Sequence, residues 1–324
     1  MKLRAGIIGL GSVSPMHVDS LRAIGVEVAA VCDKDFEKTK EFGCAAFSDF
    51  REMLDAGGFD ALHICLPHYL HAPVSIAASE KCFHILCEKP MATNVADAEE
   101  MIATAKKNNV ALGVVFQNRF SPGALLIKES LESGELGKVL GGAIRVTWNR
   151  GESYYSKSDW RGRWATEGGG VLINQSIHTF DMVNNFLGNP TDVCANIANR
   201  AHPSIEVEDV AEGIISYGEI KISFFVNTYH PYNAPASIEL ICENGRAELL
   251  GEDATVILND GTKKTAGADI EAQKRFGKKS YWGVSHIKQI EAFYNDIANE
   301  NFPEPTDALI TQKLINAIYE SAKK

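Results

Sequence analysis

The chain has 324 residues, about two ordinary domains, since one hydrophobic core seldom grows past roughly 250 to 300 residues. Hydrophobic residues at 45% and charged residues at 23% match an average globular protein, which argues against a disordered, fibrous or membrane-spanning chain. A net charge of −10 with a pI near 5.4, and no Lys/Arg run long enough to form a local exception, disfavour a nucleic acid partner.

Short β-rich runs come first, at Ala5 to Ile8, Val26 to Cys32, Ala61 to Leu66, Phe83 to Cys87 and Val110 to Phe116. Helix signals fall between them: a Ser48/Asp49 cap before Phe50, Pro73 opening Val74 to Glu80, and Asn94 ahead of Val95 to Lys107. This β-α alternation predicts a doubly wound parallel sheet of the Rossmann type over residues 1–120. Ser121-Pro122 reads as an N-cap followed by proline at the first helical position, and marks the boundary.

From 121 to 324 the pattern is α+β, with a large, mainly antiparallel, open-faced sheet. Alternating runs occur at Ile144 to Trp148, Val210 to Tyr217, Ile220 to Tyr229, Ile238 to Cys242 and Thr255 to Leu258, with turns at Asn244-Gly245 and Asp260-Gly261. Helical patterns cover Gly170 to Leu187, Ser285 to Ala298 and Thr306 to Ala322, and the closing pair is free to pack back on the first domain. One open sheet face needs cover, which a homodimer or homotetramer would supply.

No apolar stretch reaches the roughly 20 residues of a bilayer span, and Met1-Lys2-Leu3-Arg4 leads straight into a strand pattern without an export signal. A cytoplasmic protein with no membrane partner is expected. The seven cysteines lack C-x-x-C spacing and read as reduced, buried thiols, not disulfides or metal ligands.

Gly9-Leu10-Gly11-Ser12-Val13-Ser14 follows the first strand and opens a helix, fitting G-x-G-x-x-G except for Ser14 at the third glycine. Gly9 would make the tight turn, Gly11 would admit a pyrophosphate, and the amides of Ser12 and Val13 would face it. Asp33 ends the second strand, where a carboxylate accepts hydrogen bonds from ribose hydroxyls and repels a 2′-phosphate. The set favours NAD over NADP, although Lys34 blurs the distinction. The plain alternative is a glycine turn and a helix cap.

Cys87-Glu88-Lys89-Pro90, Leu66-Pro67-His68 with His71, Gln117-Asn118-Arg119-Phe120, and Gly168-Gly169-Gly170 running on to Asn174 and His178 complete the motif set. Together with the glycine turn they resemble the Gfo/Idh/MocA family of glucose-fructose oxidoreductase and inositol dehydrogenase-like enzymes, over essentially the whole chain. The resemblance implies that Leu66, Pro67, His71, Glu88 and Gln117 flank the cofactor, that Lys89 reaches the carbon exchanging hydride, and that His178 shares the proton transfer. Lys89 is restricted to extended backbone by Pro90, and burial beside a positive nicotinamide would depress its pKa. Lys89 and His178 are thus the catalytic candidates, against the alternatives of a surface lysine and a core histidine.

As a single helix, the segment after the triple glycine would put Asn174, His178 and Asp181 on one face as pocket residues. Relatives with the inositol dehydrogenase pattern carry aspartate where Asn174 stands, so Lys89 would take more of the proton transfer here, with Asp181 or Glu167 as substitute carboxylates. Trp148, Tyr154, Tyr155, Trp160 and Trp164 crowd a loop with Arg150, Arg161 and Arg163. Of these, Tyr155, Trp160, Arg161 and Arg163 are the further substrate-binding candidates; aromatic faces suit sugar rings and arginines suit hydroxyls or an anionic substituent. The expected activity is hydride transfer between NAD and a hydroxyl-bearing carbon of a sugar, cyclitol or sugar derivative. The alternatives are a glycosidase that retains NAD and uses it transiently, or a non-catalytic NAD-binding sensor.

Overall fold

Ala5, Gly6, Ile7 and Ile8 carry no polar side chain, and β1 (Arg4–Ile8) accordingly lies inside a parallel sheet with both faces covered. The computed structural model describes residues 3–267 and 285–323. They form two units, one from Met1–Gln117 and Asp269–Thr306, the other from Asn118–Ala268 and Asp307–Lys324.

In the first unit, β2 (Glu27–Cys32), β3 (Ala45–Phe47), β4 (Ala61–Ile64), β5 (His84–Cys87) and β6 (Leu112–Val114) join β1 in the order β3-β2-β1-β4-β5-β6, all parallel. The chain winds outward from β1 to β3 and then returns to β4, so the direction of winding reverses between β1 and β4. That is the switch point where doubly wound sheets bind ligands. The expected Rossmann sheet is present. Sequence patterning omits β3, a three-residue edge strand without alternation.

The helices α1 (Ser14–Ala23), α2 (Phe50–Ala56), α3 (His71–Glu80) and α4 (Val95–Lys107) connect these strands. Asp49 caps α2 by accepting from the Arg51 amide, and Asn94 caps α4 by accepting from that of Asp97. α3 starts at His71, ahead of Pro73, because proline is tolerated in a first turn. The helix Ser285–Ala298 belongs to this unit, burying Ile290, Phe293, Tyr294 and Ile297 against Ala5, Ile7, Leu86 and Val115.

The second unit opens with α5 (Pro122–Glu132), where Ser121 Oγ accepts from the Ala124 amide and Pro122 sits in the first turn, and continues through the helices α6 (Glu152–Ser156), α7 (Trp164–Glu167) and α8 (Ile177–Leu187). Its sheet comprises β7 (Val139–Thr147), β8 (Asp192–Ala198), β9 (Val210–Tyr217), β10 (Ile220–Asn227), β11 (Ser237–Cys242), β12 (Gly245–Leu250), β13 (Asp253–Leu258) and β14 (Lys263–Ala266). The order is β14-β13-β12-β11-β7-β10-β9-β8, antiparallel throughout except where β7 meets β10. Ile144, Val146, Ile222, Phe224, Ile238 and Leu240 are buried on one face, towards α5 and α8 (Ile177–Leu187), with the Phe180 ring edge-on to Phe224. The helix Thr306–Ser321 belongs to this unit, not the first.

β7 starts five residues earlier than its sequence pattern suggests, because Gly141 and Gly142 hide a strand. A Cβ at Gly142 would run into the Glu239 carbonyl across the ladder. The cysteines are free, but Cys82 and Cys194 are exposed, against the expectation of uniformly buried thiols.

Candidate active site

At the carboxyl edge of the first sheet, Gly9 has φ +90° and donates its N–H to the Cys32 carbonyl at 2.8 Å. A Cβ there would collide with the Cys65 carbonyl, so only glycine makes this turn. At Gly11 a Cβ would meet nothing within 4 Å, so the turn's backbone is open to close approach. Ser14, in place of the third glycine, is buried and donates its hydroxyl to the Gly11 carbonyl at 3.0 Å. α1 begins with no side-chain cap at Val13 and no acidic residue in its first turn, leaving its dipole end for an anion.

Asp33 accepts from the Leu10 amide at 2.7 Å and the Asp35 amide at 2.8 Å, with Lys38 Nζ at 3.3 Å. Its carboxylate ties β2 to the glycine turn and retains lone pairs for a ribose. Sequence reasoning missed Lys38, which brings a cation beside this carboxylate.

Glu88, at the end of β5, is buried with Oε1 3.0 Å from His17 Nε2, and Oε2 accepts from the Lys89 amide at 3.2 Å. Burial alone would raise its pKa, but the hydrogen bond and charge of His17, with His286 and Lys89 behind it, outweigh burial and bring it to about 2. His17 Nδ1 lies 2.7 Å from His63 Nδ1, and His63 Nε2 lies 3.1 Å from the Tyr294 hydroxyl. Burial and the neighbouring His17 hold the His63 pKa well below its usual value, so His63 is neutral. A neutral ring has one donor and one acceptor, so it relays one hydrogen bond along the line while Glu88 accepts from His17 at its end. This buried line from Glu88 to Tyr294 is absent from the sequence reading. Its nearest signal was a lone histidine in the apolar strand Ala61-Leu62-His63-Ile64.

Lys89 is half-buried, joined to Pro90 by a cis peptide bond. Leu66 and Pro67 form the turn after β4. His71 is fully buried, with Nδ1 2.7 Å from the Pro90 carbonyl and Nε2 2.8 Å from that of Leu66. It braces the two loops through both ring nitrogens. The two carbonyls favour a doubly protonated ring, but burial outweighs them and the pKa is lowered. Gln117, after β6, is buried, and its Oε1 has no hydrogen-bond partner among the described residues. An orphaned acceptor at this edge, the open approach at Gly11 and the uncapped α1 suit a dinucleotide with a polar ring substituent.

In the second unit, the three glycines let backbone and side chains meet closely. Gly168, at φ +85°, ends α7 (Trp164–Glu167). A Cβ at Gly169 would overlap the Tyr319 hydroxyl, and one at Gly170 the Glu208 carbonyl. The Glu208 carboxylate accepts from the amides of Gly170 and Leu172 and from the Tyr319 hydroxyl, at 2.9, 3.0 and 3.0 Å. Its burial pushes its pKa up to about 7, against these three donors.

The single helix expected from Gly170 to Leu187 is instead a π-helical turn, Val171–Gln175, followed by α8. Asn174 donates from Nδ2 to Glu167 Oε1 at 2.6 Å and lies 3.2 Å from the Tyr154 hydroxyl. Glu167 is fully buried, and its other oxygen accepts from the Gly162 amide at 2.5 Å. A carboxylate is therefore delivered to Asn174 from an upstream segment. His178, on the first turn of α8, is half-buried.

Asp181 is buried. It is 1% exposed, clasped by Arg119 at 2.7 and 2.5 Å and by the Thr311 hydroxyl at 2.9 Å, so it is committed to packing within its unit. Burial raises its pKa despite Arg119. Tyr155 is buried with Ile205 and Val207 and donates to Thr228 Oγ1 at 3.3 Å. Trp160 and Arg161 are half-buried and Arg163 is exposed.

Residues 3–116 match the GFO_IDH_MocA model of the oxidoreductase family with NAD-binding Rossmann fold, and residues 124–248 match the GFO/IDH/MocA C-terminal domain. The chain is 29% identical over 272 residues to the oxidoreductase YrbE of Bacillus subtilis (strain 168), covering 82% of this chain and 73% of that one. It is 29% identical over 192 residues to myo-inositol 2-dehydrogenase of Thermotoga maritima, covering 57% and 55%. The WlbA dehydrogenase of Bordetella pertussis, solved in complex with NADH and UDP-GlcNAcA, has a TM-score of 0.85 at 28% identity over 100% of this chain and 97% of that one. With models of both halves matched in order, and the glycine turn and Glu-Lys-Pro step at one sheet edge, the chain belongs to the Gfo/Idh/MocA family as an NAD-binding oxidoreductase of the sugar and cyclitol dehydrogenase type.

Proposed function

We propose that this enzyme oxidises or reduces one hydroxyl-bearing carbon of a sugar, cyclitol or sugar derivative, with Lys89 and His178 handling the hydroxyl proton. NAD supplies the hydride acceptor or donor at its nicotinamide C4. In the oxidising direction Lys89, as the free amine, takes the proton of the substrate hydroxyl while the carbon's hydride leaves, and His178 hydrogen-bonds the same oxygen. Asn174, with the Glu167 carboxylate behind it, orients a neighbouring hydroxyl.

The observation that carries this reading is the tether on Glu88. Its oxygens engage His17 and the Lys89 amide, fixing the backbone from which Lys89 projects at the carboxyl edge of β5. The named activity of the myo-inositol 2-dehydrogenase relative supports a polyol substrate, and the NADH complex of WlbA supports the cofactor assignment.

The test is Lys89→Ala with NAD binding followed by fluorescence. Turnover should fall by at least about 10³-fold while the dissociation constant for NAD changes by less than about tenfold. Unchanged turnover would remove Lys89 from the reaction.

A further inference from the structure

Tyr154 collects two guanidinium groups. Arg161 lies 4.4 Å from its ring centroid and Arg150 5.3 Å, and each also lies 4.9 Å from a tryptophan ring, Trp160 for Arg161 and Trp148 for Arg150. The Tyr154 hydroxyl in turn accepts from Asn174 Nδ2 and Gln175 Nε2, both at 3.2 Å, so Arg161 stands one ring away from Asn174.

Arg161 makes no hydrogen bond and no ion pair among the described residues, and its Nε is buried without a partner. Among the described residues Arg150 bonds only neutral acceptors, the Asn149 carbonyl and Asn233 Oδ1. The chain has 42 acidic residues against 32 basic ones, so carboxylates are plentiful, yet none among the described residues pairs with Arg150 or Arg161. The buried Glu167 nearby is occupied by Gly162 and Asn174.

We propose that the substrate carries an anionic group, a carboxylate or a phosphate, bound by the fork of Arg161 with Arg150 on the same tyrosine ring. The proposal rests on the dehydrogenase reading above and names the class of sugar or cyclitol that it uses. Two guanidiniums on one ring repel each other, and a neutral hydroxyl relieves only the missing hydrogen bond, whereas an anion supplies both acceptors and the opposite charge. Rings on either hand hold the guanidinium planes in place, so little side-chain entropy is lost on binding. In a chain of net charge −10, a local cationic patch is also what lets an acidic substrate approach.

The test is direct binding of glucose, glucuronate and glucose 6-phosphate to the NADH-loaded protein by calorimetry, with NAD reduction followed for the same three compounds and myo-inositol. At least one acidic sugar should bind at least tenfold more tightly than glucose, and the preference should weaken in 0.5 M salt. The tighter of the two acids identifies carboxylate or phosphate. Arg161→Gln should reduce the acid-to-neutral ratio at least tenfold, and Arg161→Lys, which keeps the charge but loses the fork, should restore part of it.

Glucose binding as tightly as both acids, no binding of any probe, or a ratio unchanged in a folded Arg161→Gln would overturn the proposal. Turnover of glucose or myo-inositol without acid preference would overturn it and leave the dehydrogenase reading standing. Acid-selective binding without NAD reduction by any compound would support it and count against that reading.

Discussion

Residues that act together here fall into two kinds, those adjacent in the chain and those that only folding assembles. Lys89 and Glu88 are legible because their motif is contiguous, and Gly9 and Gly11 because a tight turn admits few alternatives. The line from Glu88 through His17 and His63 to Tyr294 is not legible, since His17 and His63 are 46 residues apart and His63 and Tyr294 are 231 apart. His17→Ala should strand a buried carboxylate, costing roughly 3 kcal/mol in denaturant unfolding at pH 7. Because the folded-state pKa of Glu88, about 2, lies below its ordinary 4.5, the wild-type pair stabilises fully above about pH 4.5 and loses that contribution as the pH falls towards 2. The deficit of His17→Ala should therefore shrink in acid, and a deficit constant from pH 7 to pH 3 would contradict the pairing. Glu208 has the opposite sign: its pKa is raised to about 7, so its contribution is present below pH 4.5 and lost as the pH rises through 7. Thermal melts should show Glu208→Gln gaining on the wild type between pH 5 and pH 8.

Elements with a cap or a strong period were the easiest to read. Asn94 and Ser121 each accept a first-turn amide, as N-caps do, and β10 alternates between the outer face and the core from Lys221 to Val226. β8 and β14 escaped because they are the two edge strands of the sheet and bury little, Ala195 being the one buried residue between them. The π-helical turn also escaped, since apolar spacing marks burial without distinguishing one widened turn from an ordinary one. That turn is why Asn174 pairs with Glu167 whereas Asp181 pairs with Arg119, a division that a regular helix face conceals. Gly170→Ala would push a methyl group into the Glu208 carbonyl at the entry to the turn. It should destabilise the protein by about 2 kcal/mol or more and reduce turnover, and a melting temperature within a degree of the wild type would refute the packing argument.

At the scale of the whole molecule, composition and period were enough for an α/β unit with a mainly antiparallel second sheet, but chain order left open which unit each C-terminal helix joins. Ser285–Ala298 belongs with the first unit and Thr306–Ser321 with the second. Amphipathicity tells which face of a helix is buried, not which core receives it. Ile214 and Ile241, at 47% and 43% exposure, lie on the outer face of the second unit's sheet. A second copy covering that face predicts a light-scattering mass of two or four times 35.3 kDa, and a mass of 35.3 kDa would exclude it. The central claim, net hydride transfer from a polyol, is tested most directly by absorbance at 340 nm after mixing the protein with NAD and a set of sugars, sugar acids, cyclitols and chromogenic glycosides. The account predicts stoichiometric NADH with at least one sugar, sugar acid or cyclitol, and loss of that signal in Lys89→Ala; aglycone release without NADH, or no change with any compound, would contradict it.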